Sequence, residues 1–309
     1  MKILLFTTGG TIASIIDDGV IDVKPQGKLL VLNKYAEIDL HTEFEVVSPV
    51  NILSENVKLS DYKAIIEAFK EIYFDLYDGV IVTHGSDTLA YTSAMLSLLY
   101  ADINKPVAIV SADKSLQDSN SNGMDNFIAG VEIVKQRLNG VYVPYRNGDG
   151  TIYIHYGQKL LESSVLSDDF YSVGGAFATF ENGEIKKLGG GEQTLCSIDI
   201  QKADLSFSKK IMQVVPYPDL DYSRIDISGL DCVLHRTYHA GSVCANHEGS
   251  RCITTLINRC KAENVPIYIC GLKRGKANYY SMSSILDKGV IPLFDMSPAC
   301  VYMKLMMEG

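Results

Sequence analysis

The opening stretch KILLFTTGGTIAS constrains the fold more than any other part of the chain. Residues 3–6 form an unbroken apolar run, the signature of a strand covered on both faces. The run passes straight into Gly9-Gly10, a pair that can adopt backbone angles closed to other residues. A buried strand ending in a diglycine turn presents the next residue, Thr11, to whatever crevice lies beyond the strand end. Thr11 carries a hydroxyl on a stiff, β-branched side chain. That suits a positioned nucleophile; it also suits a phosphate loop or a plain turn.

The same strand-to-helix rhythm repeats along the first half. Tyr62, Ile65, Ile66, Phe69, Ile72 and Tyr73 follow helical spacing, with Ser60 as N-cap. DGVIVTHG is a buried strand that ends in a turn, and SDTLAYTSAMLSLLY continues it as a helix, with Ser86 as N-cap and Asp87 in the first turn. KPVAIVSA is the next strand, and residues 122–138 read as a helix with Phe127, Ile128, Val131 and Val134 on one face. Repeated units of this kind predict an α/β fold with a parallel sheet covered by helices. Ligands in such sheets sit beyond the carboxyl ends of the strands. Thr11, Ser86-Asp87 and Ala112 all fall at such ends.

The pattern breaks between 188 and 208, where LGGGEQ is Gly-rich and the stretch after it lacks periodicity. A second α/β pattern comes next: CVLHRTY as a strand, residues 249–262 as a helix, VPIYICGL as a strand, and a final helix opened by Ser297-Pro298. The expected organisation is a catalytic α/β domain over 1–187, a linker over 188–208 and a smaller α/β domain over 209–309. A 309-residue chain with 47% apolar and 21% charged residues can fill both cores.

A net charge of −9 disfavours nucleic acid or an anionic membrane as partner, because both call for a basic face. No stretch approaches the roughly 20 apolar residues of a membrane span. Polar Thr7 and Thr8 interrupt the N-terminal run before any signal-peptide pattern develops. The expectation is a soluble, cytoplasmic protein with reduced thiols. Six of its seven cysteines lie between Cys232 and Cys300. Cys232, His235, His239 and Cys244 have the chemistry of zinc ligands but no compact ligand spacing, so they read as buried thiols and structural histidines.

If Thr11 is a nucleophile, something must accept its proton. Ser86 and Asp87 offer a second hydroxyl and a carboxylate, and a lysine within reach would complete a hydroxyl–lysine–carboxylate relay. His84 next to Gly85 reads as structural.

Taken together, these stretches resemble the bacterial-type L-asparaginase/glutaminase amidohydrolases. TTGGTIAS looks like the first family signature, T-G-G-T-I-A, whose second threonine is the nucleophile, here Thr11. DGVIVTHGSDTLAYTS looks like the second, T-H-G-T-D-T, which gives Ser86 the hydroxyl position and Asp87 the carboxylate that binds the substrate α-amino group. KPVAIVSADKS is similar to the following strand, where Ala112 would offer its carbonyl to the amide nitrogen. IYIHYGQKLLESS resembles the region of the relay lysine and points to Lys159. ILSENVKLSDY resembles the loop that binds the substrate carboxylate and places Ser54 and Glu55. KGVIPLFDMSPACVYMKL is similar to the closing strand and helix.

The resemblance implies hydrolysis of the side-chain amide of asparagine, glutamine or a related small amide through a threonine acyl-enzyme. It implies no metal or organic cofactor, and a homodimer or homotetramer in which residues 238–242 border a neighbouring subunit's site. The chain departs from the pattern at several positions. Val20 stands where a lid tyrosine is usual, Ser86 replaces threonine, and Glu55 replaces Gln or Ser. Ser242 takes the place of the asparagine that completes the neighbouring site, and Asn122-Gly123 replaces Asp-Gly. Three other roles use the same residues differently. They are a non-catalytic amino-acid binder, a phosphate-binding loop at Gly9-Gly10, and the amidase subunit of a tRNA-dependent amidotransferase.

Overall fold

The computed structural model describes residues 1–17, 20–22, 25–189, 195–245, 249–275 and 279–308, with the backbone alone for residues of the 15–29 stretch. Strand β1 (Lys2–Thr7) leads through a 3-10 turn (Thr11–Ala13) into a short antiparallel pair, β2 (Ile15–Asp17) and β3 (Val20–Asp22). Then come α1 (Pro25–Ala36), β4 (Glu43–Val47), α2 (Leu59–Lys70), β5 (Gly79–Thr83), α3 (Leu89–Leu99), β6 (Pro106–Val110), α4 (Gly123–Lys135), β7 (Gly140–Arg146) and β8 (Ile152–Tyr156). The β9 (Ala178–Glu181) and β10 (Glu184–Lys187) strands form a hairpin. The chain continues with β11 (Ile211–Val214), β12 (Cys232–His235), α5 (Ile253–Ala262), β13 (Ile267–Leu272), α6 (Tyr280–Leu286), β14 (Ile291–Phe294) and α7 (Pro298–Met307).

Two compact units result. Residues 1–207 with 307–309 form one, and residues 208–306 the other. The first holds an eight-stranded sheet in the order β10-β9-β8-β7-β6-β5-β1-β4. The β4, β1, β5, β6 and β7 strands run parallel, and β8 to β10 continue the sheet antiparallel. The chain leaves β1, adds β4 on one side, then crosses to add β5 on the other. The order therefore reverses at β1, the kind of place where parallel sheets open a crevice at their carboxyl edge.

Period-two alternation sends β1 side chains to both faces. Ile3 and Leu5 join a core with Val31 and Tyr35 of α1 and Phe127 and Val131 of α4. Phe6 points the other way and meets Phe69 of α2 edge-on, with ring centroids 5.0 Å apart. Both faces are covered, so every residue of β1 from Ile3 to Thr7 is buried. The second unit is a parallel sheet in the order β11-β12-β13-β14, with a core of Val233, Ile253, Leu256, Ile257, Ile267, Ile269, Met282 and Ile285. Among the described residues no helix is long and apolar enough to cross a membrane.

Helix ends differ from the sequence expectation in instructive ways. Helix α2 starts before Ser60, because the Asp61 carboxylate accepts the Lys58 backbone N–H and fixes the start there. Helix α4 stops at Lys135, and Arg137 turns the chain out with φ of 52°. The segment from Gly249 begins as a 3-10 turn (Gly249–Arg251), and α5 proper starts at Ile253. Helix α7 matches its expectation: Pro298 opens it and the Ser297 hydroxyl accepts the Cys300 N–H at 3.2 Å.

Three histidines are buried and held neutral. Burial lowers the pKa of His84 and of His235 to about 4 each, and that of His155 to about 3. Unfolding exposes them to water, where each titrates near 6.5. Below that pH the unfolded chain binds protons that the folded chain does not, so acid favours unfolding. The stability of the folded chain should fall between pH 6.5 and 4, by about 1.4 kcal/mol per pH unit for each fully counted histidine. Urea unfolding across that range checks this; a flat profile from pH 6.5 down to 5, above the carboxylate range, would refute it.

Candidate active site at the carboxyl ends of β1 and β5

The turn after β1 is built from backbone that only glycine can supply. Gly9 has φ of 113° and Gly10 φ of 81° with ψ of 176°, a region essentially confined to glycine. A Cβ on Gly9 would fall 2.7 Å from the Ile52 backbone nitrogen, and one on Gly10 2.5 Å from the Gly85 Cα. The glycines therefore let three backbones meet: the turn after β1, the loop after β4 and the turn after β5. Hydrogen bonds close the junction. Gly10 donates its N–H to the Ile52 carbonyl at 3.1 Å, and Ile52 donates to the Thr8 carbonyl at 3.0 Å. Thr8 donates both its N–H and its hydroxyl to the Thr83 carbonyl, at 3.1 and 2.8 Å.

Thr11 opens the 3-10 turn immediately beyond this junction and is half-buried. Its carbonyl accepts the Ser14 N–H at 3.1 Å and the Ser14 hydroxyl at 2.7 Å, which fixes the turn from behind. Its own hydroxyl makes no hydrogen bond to another described residue. The Ser115 hydroxyl donates to the Ser14 carbonyl at 3.0 Å, so the loop after β6 is tied to the same turn. Ala112 lies at the start of that loop, fully buried against Gly123, whose own Cβ position would be 2.9 Å from it.

The second and third loops hold each other. The Ser54 hydroxyl donates to Asp87 Oδ2 at 2.7 Å and accepts the Asp87 N–H at 3.3 Å, while the Thr88 hydroxyl donates to the Ser54 carbonyl at 3.1 Å. Ser54 is buried and Glu55, next on the same 3-10 turn (Ser54–Asn56), is exposed, as is Asp87. These bonds explain a difference from the sequence reading. Ser86 does not cap α3; Thr88 occupies the N-cap position and the helix starts at Leu89, because Asp87 and Thr88 are engaged by the Ser54 turn. Ser86 and Asp87 form the preceding turn, with the Ser86 carbonyl accepting the Leu89 N–H.

Behind Ser86, the His84 ring spans the turn and the helix. Its Nδ1 lies 2.8 Å from the Gly85 carbonyl and its Nε2 2.7 Å from the Thr92 hydroxyl. With the ring neutral, Nδ1–H donates to Gly85 and Nε2 accepts from Thr92. His84 thus positions the glycine that meets Gly10 and is no partner for Thr11. Sequence reasoning misses Thr88 and Thr92, since their partners are remote or a helical turn away from any motif.

Lys159 ends the 3-10 turn Gly157–Lys159 and is buried, and its carbonyl accepts the Val173 N–H at 2.9 Å. The turn rests on α3: the Ser93 hydroxyl donates to the Gly157 carbonyl at 3.2 Å, and the Tyr91 hydroxyl donates to Glu162 at 3.0 Å. The lysine is thereby carried on the helix that begins beside Ser86 and Asp87. Ser242 belongs to the second unit, where its carbonyl accepts the Tyr238 N–H. The backbone of Val20 lies in β3; its side chain is outside the described residues. In the second unit His235 is buried, with Nε2 3.0 Å from the Tyr222 hydroxyl. Among the described residues no three His, Cys, Asp or Glu groups are placed to hold a metal.

Known proteins resemble this chain over nearly its whole length. A family model described as "Asparaginase, N-terminal" matches residues 2–186. A curated relative from Methanobrevibacter smithii, a subunit of glutamyl-tRNA(Gln) amidotransferase, is 28% identical over 98% of this chain and 71% of its own length. The same subunit from Saccharolobus solfataricus is 27% identical over 99% of this chain and 70% of its own. In fold, the chain is similar to the L-asparaginase of Thermococcus kodakarensis, with TM-score 0.73, 24% identity, and 99% and 92% of the two chains covered. It is likewise similar to a probable cytoplasmic L-asparaginase of Campylobacter jejuni, with TM-score 0.75, 20% identity, and 99% and 94% covered.

Substituting Gly10 by alanine should disrupt this site at its root. The new Cβ meets the Gly85 backbone and the conformation is one alanine resists, so a loss of at least about 3 kcal/mol is expected. Chemical denaturation of Gly10→Ala beside wild type measures it, and a loss below about 1 kcal/mol would mean that the close approach is not real.

Proposed function

The chain belongs to the asparaginase family, and from that premise we propose that it is an amidohydrolase that releases ammonia from the side-chain amide of asparagine or a related small amide. The observation that carries this reading is the meeting of the Thr11 turn, the Ser54 turn and the Ser86-Asp87 turn at the point where the strand order reverses.

In this reading the Thr11 hydroxyl oxygen attacks the amide carbon, and backbone N–H groups beside Thr11 and Ser86 stabilise the oxyanion. The C–N bond breaks and the nitrogen leaves as ammonia, carrying the proton Thr11 gave up. Water then attacks the acyl ester, its proton taken through Ser86 and Lys159, and the free acid departs as Thr11 regains its proton. Asp87 on one side and Ser54 and Glu55 on the other orient the α-amino-acid end, and the Ala112 carbonyl accepts from the amide nitrogen. A homodimer or homotetramer, with Ser242 bordering a neighbouring site, is part of the same proposal, and so is a cytoplasmic location.

The names of the curated relatives favour a second reading, in which ammonia made here is handed to a glutamyl-tRNA transamidation carried out with another subunit. With a formal charge of −9, this chain is poorly suited to hold RNA itself, which supports an RNA contact made by the other subunit in that reading. Ammonia release from glutamine that rises on adding a partner subunit would select this version.

Thr11→Ala should reduce ammonia release from asparagine by at least about 1,000-fold, and Lys159→Met by about as much, with the thermal midpoint of each variant near that of wild type. A Thr11→Ala enzyme working at the wild-type rate would remove the nucleophile from the scheme.

A further inference from the structure

Ala112 lies just past the end of β6, fully buried, and has no hydrogen-bond partner among the described residues. Buried backbone carbonyls are almost always satisfied, so one left open at the carboxyl edge of the sheet points to a ligand.

Two buried asparagines hold the peptides on either side of it. Asn122 stands at the N-cap of α4 and Asn126 one turn further on, on the same face. Asn126 Nδ2 donates to the Ser111 carbonyl at 2.9 Å. Asn122 Oδ1 accepts the Asp113 N–H at 2.9 Å, and the Asp113 carboxylate accepts the Asn122 N–H at 2.9 Å. Both side chains are anchored to Arg146 at the end of β7. Its N–H donates to Asn126 Oδ1 at 2.7 Å, and its carbonyl accepts from Asn122 Nδ2 at 2.9 Å. Asn122 makes no side-chain cap bond to α4, because its amide is spent on these partners.

The Ala112 carbonyl and the Asp113 N–H belong to one planar peptide and point in opposite directions when it is trans. Holding the Asp113 N–H toward Asn122 therefore turns the Ala112 carbonyl away from Asn122. The Ser111 carbonyl, held by Asn126, sets the peptide on the other side, so both planes that meet at Ala112 are fixed.

Resting on the amidohydrolase reading above, we infer that Asn122 and Asn126 are positioning residues that aim the Ala112 carbonyl at the nitrogen of the scissile amide. They touch no substrate atom. Their effect is confined to substrates whose leaving group carries an N–H, so they favour amides over esters.

Asparagine and the β-methyl ester of aspartate test this. Both give the same acyl-enzyme, and the ester oxygen has no proton to donate to Ala112. The amide-to-ester ratio of kcat/KM should fall at least about tenfold in Asn126→Ala and in Asn122→Ala. Asn122→Asp keeps an acceptor for the Asp113 N–H and should recover most of that ratio. If Asn126→Ala does not fold, the two Asn122 variants decide. A purely structural role would lower both substrates together; an unchanged ratio in the alanine variants overturns the inference. If the wild type releases no ammonia, the amidohydrolase reading fails and binding decides instead. Wild type should then hold asparagine about tenfold tighter than the ester and lose that preference in Asn122→Ala. Equal binding of the two by wild type, or none, counts against the positioning role.

Discussion

Gly10 and Gly85 approach so closely that a side chain on Gly10 would overlap the Gly85 backbone, and one on Gly85 would strike Ser54. Most of the candidate site depends on this steric fact. Because the three backbones can touch, Gly10 and Ile52 can hydrogen-bond, Thr8 can reach Thr83, and Ser54 can reach Asp87 across 33 residues of sequence. None of these bonds is strong singly; a net contribution of about 1 kcal/mol each is usual. Together they hold the Thr11 turn and the Ser86-Asp87 turn in one register, the condition for two side chains to act on one bound molecule.

The rest of the first unit supports that junction from behind. Period-two burial of β1 anchors it in both hydrophobic layers, so the Gly9-Gly10 turn starts from a strand that cannot shift. His84, neutral and fully enclosed, links Gly85 to the second turn of α3. The same helix carries the Gly157–Lys159 turn through Ser93. One helix thus connects the hydroxyl–carboxylate turn at its start to the buried lysine packed along it. The second unit is built separately, around its own sheet and core.

Sequence patterning and tertiary structure divide the explanation unevenly. The buried strands β1, β5 and β6 are legible because each is a short apolar run bounded by turn residues, and Thr11 stands out because a diglycine precedes it. The cap of α3 is not legible, for a physical reason. Ser86 and Asp87 have the right chemistry to cap a helix, but capping preference is a local term of about 1 kcal/mol. Here Asp87 and Thr88 spend their side chains on a turn from a different part of the chain, and the helix starts at Leu89 instead.

By itself the sequence determined the class of fold, the strand ends where chemistry could be placed, and the residue types available there. Those depend on hydrophobic periodicity and on glycine, both local properties. Only the tertiary structure decided that β4 and β5 flank β1, that Ser54 binds Asp87, and that His84 serves Gly85 and Thr92. Such pairings join residues far apart in the chain, and no local pattern encodes them. They are fixed by which arrangement of strands buries both faces of the sheet and satisfies the backbone at its carboxyl edge.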